Sequence, residues 1–283
     1  MMLTVPRGKE KIASLLLTLA AFSTVLILMI IIGYVIFRGI NHISLDFLLD
    51  RPRKMGSEGG IFPVIVGTLY YAILTISIAT PIGVGAAIYL QEYTRGNTLT
   101  KIIRFGTEIL AGIPSIIFGL FGYAFFVVLL EEYTKGWSLV SGSLTATCMI
   151  LPTIIRTSEE ALKTVPSSFR EASLSLGANR WQTIYKVVLP TAIPGILTGI
   201  ILGIGRAIGE TAALLLTLGG TLLSPESAFD GARTLSMHLY MVALETGNMD
   251  VAFATAVVLI ILIFIINFIA NFVINKIVAH QRR

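Results

Sequence analysis

Six long apolar stretches dominate this 283-residue chain and leave few folds open to it. A helix needs roughly 20 apolar residues to cross the hydrocarbon core of a bilayer. Six stretches come close to or exceed that length, at about 12–37, 63–90, 105–130, 138–156, 190–217 and 251–275. The fourth is the weakest, because four hydroxyl side chains dilute it: Ser141, Ser143, Thr145 and Thr147. Because unpaired backbone groups are costly in lipid, the sequence predicts an all-α membrane protein with six transmembrane helices.

Composition supports a membrane protein over a pair of soluble domains. Only 13% of the residues are charged, where soluble domains have about a quarter. The formal net charge is +5, and a basic balance is one feature of nucleic-acid-binding proteins. Here the basic residues lie between apolar stretches, where membrane topology explains them, so we expect no nucleic-acid partner. The single cysteine, Cys148, allows no disulfide within the chain.

The distribution of Lys and Arg predicts that both termini are cytoplasmic. Positive residues favour the cytoplasmic side of short loops. With the N-terminus inside, the inner segments carry Arg7, Lys9, Lys11, Arg95, Lys101, Arg104, Arg156, Lys163, Arg170, Arg180, Lys186, Lys276, Arg282 and Arg283. The outer segments carry fewer: Arg38, Arg51, Arg53, Lys54, Lys135 and Arg233. The first outer loop is the exception to the rule, because of its cluster at Arg51–Lys54.

The longest inner connection, about 157–189, is predicted to contain a short helix. The helix opens near Glu171 and Ala172, and Gly177 ends it, because Gly is preferred just past a helix end. Trp181 lies in the turn that follows, and Leu189-Pro190 leads into the next apolar stretch. This pattern favours a rigid projection that meets a partner in water. An ordinary connection between two spans is the alternative.

Two charged residues interrupt the fifth apolar stretch. Arg206 and Glu210 are four residues apart, so on one helix they share a face and are able to pair. Charges at membrane depth usually face a water-filled path or a partner, and a guanidinium fork suits phosphate-like oxygens. We therefore expect Arg206 to contact an anion, and Glu210 to orient the guanidinium of Arg206 and balance its charge. A purely structural pair beside a stripe of small residues is the alternative: Gly195, Gly199, Gly203 and Ala207.

Arg156 is a further candidate in the substrate path, near the inner end of the fourth stretch. It is either a second anion contact or a plain positive anchor. Catalytic and metal-binding motifs are absent from the sequence, including HExxH and GxSxG. There is also no phosphate-binding loop of the ATPase type. We therefore expect neither an enzyme nor a cofactor site in this chain.

The inner loop identifies the chain as similar to a known family. Glu171-Ala-Ser, then Gly177, then Val187-x-Leu-Pro190 resembles the EAA loop of binding-protein-dependent ABC importer permeases, the MetI-like family. Ser173 replaces the second Ala of that loop, and Val187 replaces the usual Ile. Within the family the chain is most similar to phosphate permease subunits. The supporting strings are Ile113–Ile117, Leu151–Glu160, Val188–Gly195 and Arg206–Thr211. Molybdate and sulfate permeases tend to have Phe where this chain has Thr211.

The resemblance, which covers about residues 58–275, implies a type I ABC importer permease fold in a prokaryotic cytoplasmic membrane. It implies a second homologous permease, two ATP-binding cassette subunits that bind ATP and Mg, and an extracytoplasmic phosphate-binding protein. It also assigns coupling to the ATPase to a cytoplasmic helix, through Glu171, Ala172, Gly177, Leu189 and Pro190. The outer loops, about 219–250 and Arg51–Lys54, are then expected to receive the binding protein.

The expected organisation has three parts. Residues 1–62 hold the N-terminal tail, the first helix and the first outer loop, and residues 63–275 hold the permease core with the EAA loop at 171–190. Residues 276–283 form a cytoplasmic tail. A permease for another oxyanion such as molybdate or sulfate, an ATP-independent secondary transporter and a membrane enzyme or structural subunit are the alternative functions.

Overall fold

The computed structural model describes residues 7–94 and 97–281. The start of the N-terminal tail lies outside the described residues, as do Arg95 and the end of the cytoplasmic tail, Arg282 and Arg283. Within the described ranges the chain is almost entirely helical, with one two-stranded hairpin in the first outer loop. The strands are β1 (Pro52–Arg53) and β2 (Glu58–Gly59), which pair antiparallel with Pro52 opposite Gly59.

The helices follow one another along the chain with short connections. They are α1 (Arg7–Gly39), α2 (Leu45–Leu49), α3 (Phe62–Ile88), α4 (Thr98–Gly112), α5 (Ser115–Gly122), α6 (Glu131–Thr134), α7 (Leu139–Lys163), α8 (Ser167–Ser175), α9 (Arg180–Thr183), α10 (Leu189–Ile208), α11 (Ala212–Thr217), α12 (Leu235–Met241) and α13 (Met249–Gln281). Four π-helical segments extend them: Tyr89–Tyr93, Tyr123–Leu129, Ile184–Val188 and Val242–Thr246.

Among the described residues, five helices are long and apolar enough to cross a membrane, or six if one bent pair is a single span. The five are Lys11–His42, Phe62–Tyr93, Leu139–Lys163, Arg180–Ile208 and Met249–Phe272. The predicted third span, 105–130, is the bent pair, Thr100–Gly112 and Ser115–Leu129, whose halves meet at 105°. Proline disfavours the helical conformation of the residue before it, and Ile113 is extended (φ −74°, ψ 132°). The predicted third span is therefore present as two helices that are divided at Pro114.

The helix predicted to be the weakest span, α7, is the most buried one. In its best apolar window 61% of the residues are buried, against 28% or less in the other four spans. It packs against α3, α10, α4 and α5. Its hydroxyl side chains donate hydrogen bonds to backbone carbonyls, as Ser141 Oγ does to Gly136 O at 2.6 Å and Thr145 Oγ1 to Ser141 O at 2.8 Å. Hydroxyls are satisfied in this way inside membrane helix bundles, so polarity here marks a central helix.

The predicted stripe of small residues on α10 packs closely against α7. A Cβ added at Gly195 would lie 2.6 Å from the Cβ of Ala161, and one added at Gly203 would lie 3.4 Å from the side chain of Ile154. Small residues allow helix backbones to approach closely in a membrane. The stripe therefore serves helix packing, as the structural alternative predicted. This packing does not involve Arg206.

The two predicted outer loops form one assembly. The buried guanidinium of Arg233 donates to Gly220 O at 2.8 Å and to Met55 O at 3.3 Å, which joins the last outer loop to the first. Asn248 Nδ2 adds a bond to Ser57 O at 2.9 Å. The last outer loop also holds a short helix, α12, which continues into the π-helical segment Val242–Thr246.

Candidate functional site

The predicted coupling helix is present as α8, which begins at Ser167, earlier than expected, and ends where Gly177 was expected to end it. Gly177 has φ +85°, in the left-handed region that favours glycine. Its amide donates to Leu174 O at 3.0 Å, and the amide of Ala178 donates to Ser173 O at 3.3 Å. These are the two bonds of a Schellman motif. A Cβ added at Gly177 would have nothing within 4 Å, so backbone conformation, and not space, favours glycine here.

The chain after Gly177 turns directly into the next long helix. Asn179 starts α9 with a capping box, in which Gln182 N donates to Asn179 Oδ1 at 2.8 Å and Asn179 N to Gln182 Oε1 at 2.9 Å. The helix then continues from Arg180 to Ile208. The helix therefore begins before the predicted fifth span, 190–217, and ends within it, and α11 occupies the last part of that span. Leu189 and Pro190, two of the predicted coupling residues, lie half-buried within this helix.

Residues 167–188, which comprise α8, α9 and the π-helical segment after them, are called the coupling segment because they contain the predicted coupling helix. A hydrogen bond joins α8 to α9 within this segment. Ser173 Oγ and Thr183 Oγ1 lie 2.9 Å apart, one on α8 and one on α9. Ser173 is the residue that departs from the family's alanine. The departure therefore adds a link between α8 and the start of the long helix.

Arg170, which the sequence placed only among the inner positive residues, anchors α8 to the rest of the chain. Two nitrogens of its guanidinium donate to the carboxylate of Glu92, Nη2 to Oε1 at 2.7 Å and Nε to Oε2 at 3.2 Å. It also donates to Val165 O at 2.6 Å and to Leu162 O at 3.0 Å. The sequence contains no sign of this pairing, because Glu92 lies 78 residues earlier.

The surface of the coupling segment is exposed and partly aromatic. Glu171, Ala172 and Gly177 are exposed, and Leu176 is 89% exposed. The rings of Trp181 and Tyr185 stack with centroids 6.4 Å apart, and both are more than half exposed. Exposed apolar and aromatic groups on a rigid support are typical of protein interfaces.

The two charges of the fifth stretch do not pair. Because α10 ends at Ile208, Arg206 is on the helix and Glu210 is beyond it. Glu210 Oε1 accepts a hydrogen bond from Ala213 N at 3.2 Å, at the start of α11. Arg206 is exposed and, within the part of the chain that the structure describes, has no carboxylate within 4 Å. The expected Arg206–Glu210 pair was therefore wrong, because Gly209 ends the helix between the two side chains.

Arg156 lines a charged cleft of about 340 Å³ between α4 and the inner end of α7. Arg104 pairs with Glu159, and Lys163 lies 2.8 Å from Glu160 and 3.6 Å from Glu159. Arg156 itself is exposed and has no carboxylate within 4 Å among the described residues. The cleft thus presents one unpaired guanidinium beside cations that are already neutralised.

The outer assembly carries a second polar cleft, of about 610 Å³. Its lining includes Arg51, Trp137, Glu226 and Asp230. Asp230 Oδ2 accepts from the amides of Ser227 at 2.7 Å and Glu226 at 2.8 Å, and these bonds hold the pKa of Asp230 below its usual range. The cleft therefore keeps a negative group in a fixed loop.

A buried histidine lies beside the outer assembly. Both ring nitrogens of His238 on α12 are buried and have no hydrogen-bond partner among the described residues. Burial, with a smaller contribution from the charge of Arg233, lowers the pKa of His238 to about 4. Burial also lowers the pKa of Arg233, which the charge of Glu245 opposes. The neutral form of His238 is therefore the one that the fold accommodates.

Two named relatives resemble the chain over most of its length. One is the probable ABC transporter permease protein YqgI of Bacillus subtilis (strain 168), 34% identical over 246 residues, which cover 82% of this chain and 83% of the relative. Another is the phosphate transport system permease protein PstA of Pasteurella multocida (strain Pm70), 35% identical over 209 residues, which cover 74% and 73%.

Solved structures share the fold at low sequence identity. An inward-facing MetNI methionine ABC transporter matches with a TM-score of 0.63 and 22% identity, over 77% of this chain and 95% of that one. A bacterial alginate ABC transporter, in complex with a pentasaccharide-bound periplasmic protein, matches with a TM-score of 0.69 and 16% identity, over 96% and 98%.

A family model covers most of the chain and agrees with the inner-loop motif. The model described as binding-protein-dependent transport system inner membrane component matches residues 79–283, which include the coupling segment and both unpaired arginines. The chain therefore belongs to the family of binding-protein-dependent transport system inner membrane components, and it is a multi-pass membrane permease subunit of the ABC importer type with the type I fold.

Proposed function

We propose that this chain is one of two homologous permease subunits that form the path of an ATP-driven importer for inorganic phosphate. Relatives named as phosphate permeases support this substrate, at 33–35% identity in those from Pasteurella multocida and Xylella fastidiosa. The residues Arg206–Thr211 support it as well. Molybdate and sulfate remain the competing anions that a test must separate.

The observation that carries the proposal is the unpaired guanidinium of Arg206. Insertion scales give a cost of about 2.5–3.5 kcal/mol for an arginine at the centre of a membrane helix. Arg206 lies in the last turn of α10, shortly before the apolar α11, so the value is an upper limit for it. Here no carboxylate within 4 Å in the described residues offsets that cost. A polar path and an anion that enters it would offset it. The planar fork donates two parallel hydrogen bonds to tetrahedral oxyanions, so it binds the ligand without a proton change.

Arg156 would be a second contact near the cytoplasmic end of the path. The other cations of its cleft, Arg104 and Lys163, are neutralised by Glu159 and Glu160. The carboxylates of Glu159 and Glu160 would also repel a bound anion and so favour its release. A site that balances one free cation against nearby acids binds weakly enough to release its ligand, as a path requires.

The coupling segment would dock the ATPase subunits. Glu171, Ala172 and Gly177 are exposed on α8, and the neighbouring aromatic pair Trp181–Tyr185 extends the same segment. Leu189 and Pro190 are half-buried, so they would shape the junction with the long helix instead of touching the ATPase. ATP and Mg would be bound by those partner subunits.

The outer assembly would receive the substrate-binding protein. Its cleft of about 610 Å³ combines fixed negative groups with Arg51, and Arg53 and Lys54 lie on the adjacent hairpin. Charges of both signs on a rigid surface would set the orientation of the incoming protein and its association rate more than its affinity.

Transport by the reconstituted complex tests the substrate. The complex of both permeases, the ATPases and the binding protein is placed in proteoliposomes, and uptake of labelled phosphate is measured with ATP inside. We expect arsenate, which has the same geometry and charge, to compete, and sulfate and molybdate to compete poorly. Stronger competition by sulfate or molybdate than by arsenate would assign the path to another oxyanion. Uptake without ATP would reject the ABC mechanism altogether.

A further inference from the structure

Two buried hydroxyl groups hold the break between α10 and α11. The Tyr71 hydroxyl, on α3, donates to Ala207 O at 3.3 Å. Ser236 Oγ, on α12, donates to Glu210 O at 2.6 Å. Tyr71 is 0% exposed and Ser236 is 3% exposed, so water does not compete for either bond. The two carbonyls flank the short segment in which the helix is interrupted.

The break is thereby fastened to two different parts of the fold. Ala207 directly follows Arg206, and its carbonyl also accepts from Glu210 N at 3.1 Å. A carbonyl oxygen has two lone pairs, so Tyr71 takes the one that the turn leaves free. The backbone carbonyl of Glu210 accepts the bond from Ser236, which lies on a different helix from Tyr71. Both candidate residues of the path are therefore within one residue of a clamped atom.

The serine is itself held in place by a short chain of hydrogen bonds. Thr234 Oγ1 accepts from Met237 N at 3.3 Å as the cap of α12, and it lies 3.0 Å from Ser236 Oγ. Leu235 N donates to Thr68 Oγ1 at 2.9 Å, one turn before Tyr71 on α3. Both hydroxyls are thus positioned by α3: Tyr71 is part of that helix, and Ser236 is on α12, which is hydrogen-bonded to it. Hydrogen bonds in such buried networks strengthen each other.

We infer that Tyr71 and Ser236 are positioning residues that hold the break at residues 209–211 and so fix where Arg206 and Glu210 lie. Neither is proposed to touch the anion. The consequence for transport rests on the proposed function, whereas the hold on the break does not. Ser236 also links the break to the outer assembly. Binding of a protein to the outer assembly would therefore act on the proposed path through this hydrogen bond.

A spin label at Gly209→Cys tests the hold without reference to any substrate. Gly209 is exposed, has an ordinary φ of −79°, and an added Cβ would lie 3.5 Å from the nearest atom, Gly205 O. Since Cys148 is the only native cysteine, the background is Cys148→Ser. The spectrum of the same complex without Gly209→Cys is subtracted. Label mobility is then compared in assembled complexes that carry a change at one clamping residue.

We expect Tyr71→Phe and Ser236→Ala each to increase label mobility, and Ser236→Thr, which keeps the hydroxyl, to restore it. The matched controls are Tyr70→Phe, on the same helix but 49% exposed, and Ser224→Ala on the exposed outer loop. In unlabelled complexes with saturating phosphate-loaded binding protein, the same two changes should lower the maximal uptake rate about fivefold, the effect of one lost buried hydrogen bond. The amount of assembled complex should stay constant.

Three possible results distinguish a failure of this inference from a failure of the proposed function. Unchanged label mobility in both Tyr71→Phe and Ser236→Ala would overturn the inference, whatever the transport result. Increased mobility with an unchanged maximal uptake rate would also overturn it, because the break would then not position the path. Normal phosphate uptake by Arg206→Gln would instead reject the proposed path, and the mobility result would still report on the hold.

Discussion

Arg170 and Glu92 form a two-pronged ion pair between α8 and the extension of α3, with exposed side-chain fractions of only 22% and 9%. The same guanidinium caps two carbonyls at the end of α7, Leu162 O and Val165 O. Because the bonds converge from two helices, α8 is held rigidly to the membrane helices. We therefore expect a movement of α8 to be transmitted to α3 and α7.

The first prediction concerns this anchor. Removing one partner of a largely buried pair leaves an uncompensated charge and costs about 3–5 kcal/mol. Arg170→Ala should therefore free α8, with faster amide exchange across α8 and loss of uptake coupled to ATP hydrolysis. Lys54→Ala is the matched control for the exchange measurement alone, since its pair with Glu58 is exposed and should contribute at most about 1 kcal/mol. Equal exchange in the Arg170 variant and the wild type would show that other contacts hold α8.

The second prediction concerns the end of α8. At φ +85°, side chains with a Cβ are strained by about 1–2 kcal/mol, and β-branched ones by more. Asn tolerates this region better than Ala or Val. We expect coupled uptake to fall in the order Gly177→Asn, Gly177→Ala, Gly177→Val, with similar amounts of chain in the membrane. Because an added Cβ meets nothing within 4 Å, steric crowding gives no such order, and full uptake by Gly177→Val would refute the motif's role.

The third prediction concerns the substrate path. Arg206→Gln should abolish phosphate uptake while the ATPase still co-purifies, and Arg206→Lys should retain part of it, because the charge remains but the fork is lost. Glu210→Gln should impair uptake less, since its side-chain carbonyl still accepts from Ala213 N. Uptake by Arg206→Gln at the wild-type rate would make Arg206 structural, and Arg156 would be the next residue to test.

The fourth prediction concerns acid stability of the outer assembly. The pKa of His238 is about 4 in the folded chain against 6.5 for an unperturbed histidine, so the unfolded state binds the proton first as pH falls. Stability is therefore full above about pH 6.5 and decreases between about pH 6.5 and 4, by about 3 kcal/mol over the whole window. Burial is the main cause of the low pKa of His238, and the charge of Arg233 adds to it by disfavouring the proton.

The test of that prediction is the melting temperature between pH 7.5 and pH 5. His238→Phe should flatten the decrease, because an apolar ring of similar size has no proton to gain and both ring nitrogens are unpartnered. His42→Gln is the control, since His42 is about half exposed and lies 3.7 Å from Asp250. An undiminished decrease in His238→Phe would assign the acid sensitivity to other groups.

The fifth prediction concerns the outer hairpin. Arg53 and Lys54 lie 3.7 Å and 2.6 Å from Asp50 and Glu58, so their charges are partly balanced within the loop. Reversing both to Glu should lower transport chiefly at low binding-protein concentration, because charge affects association rate most. Lys135→Glu, on another outer loop, serves as the control. A concentration dependence like that of the wild type would remove the hairpin from the interface.

The sequence by itself determined the features that depend on local periodicity and local backbone chemistry. Apolar length identified the membrane helices, with the exception of the bent third span, and the spacing of Gly195, Gly199 and Gly203 identified the face that packs on α7. Gly177 could be assigned as a helix end because its conformation depends on its immediate neighbours. The family motif could be found for the same reason, since its residues are close together in the chain.

Only the tertiary structure decided where α10 stops and which charges pair. Helical spacing placed Arg206 and Glu210 together, but distant hydroxyls on Tyr71 and Ser236 stabilise carbonyls that a continuous helix would have satisfied itself. Arg170 and Glu92 meet across 78 residues, a separation that no periodicity encodes. Apolar pattern reports the solvent around a segment, whereas helix ends and ion pairs depend on the partners that the folded chain brings to each polar group.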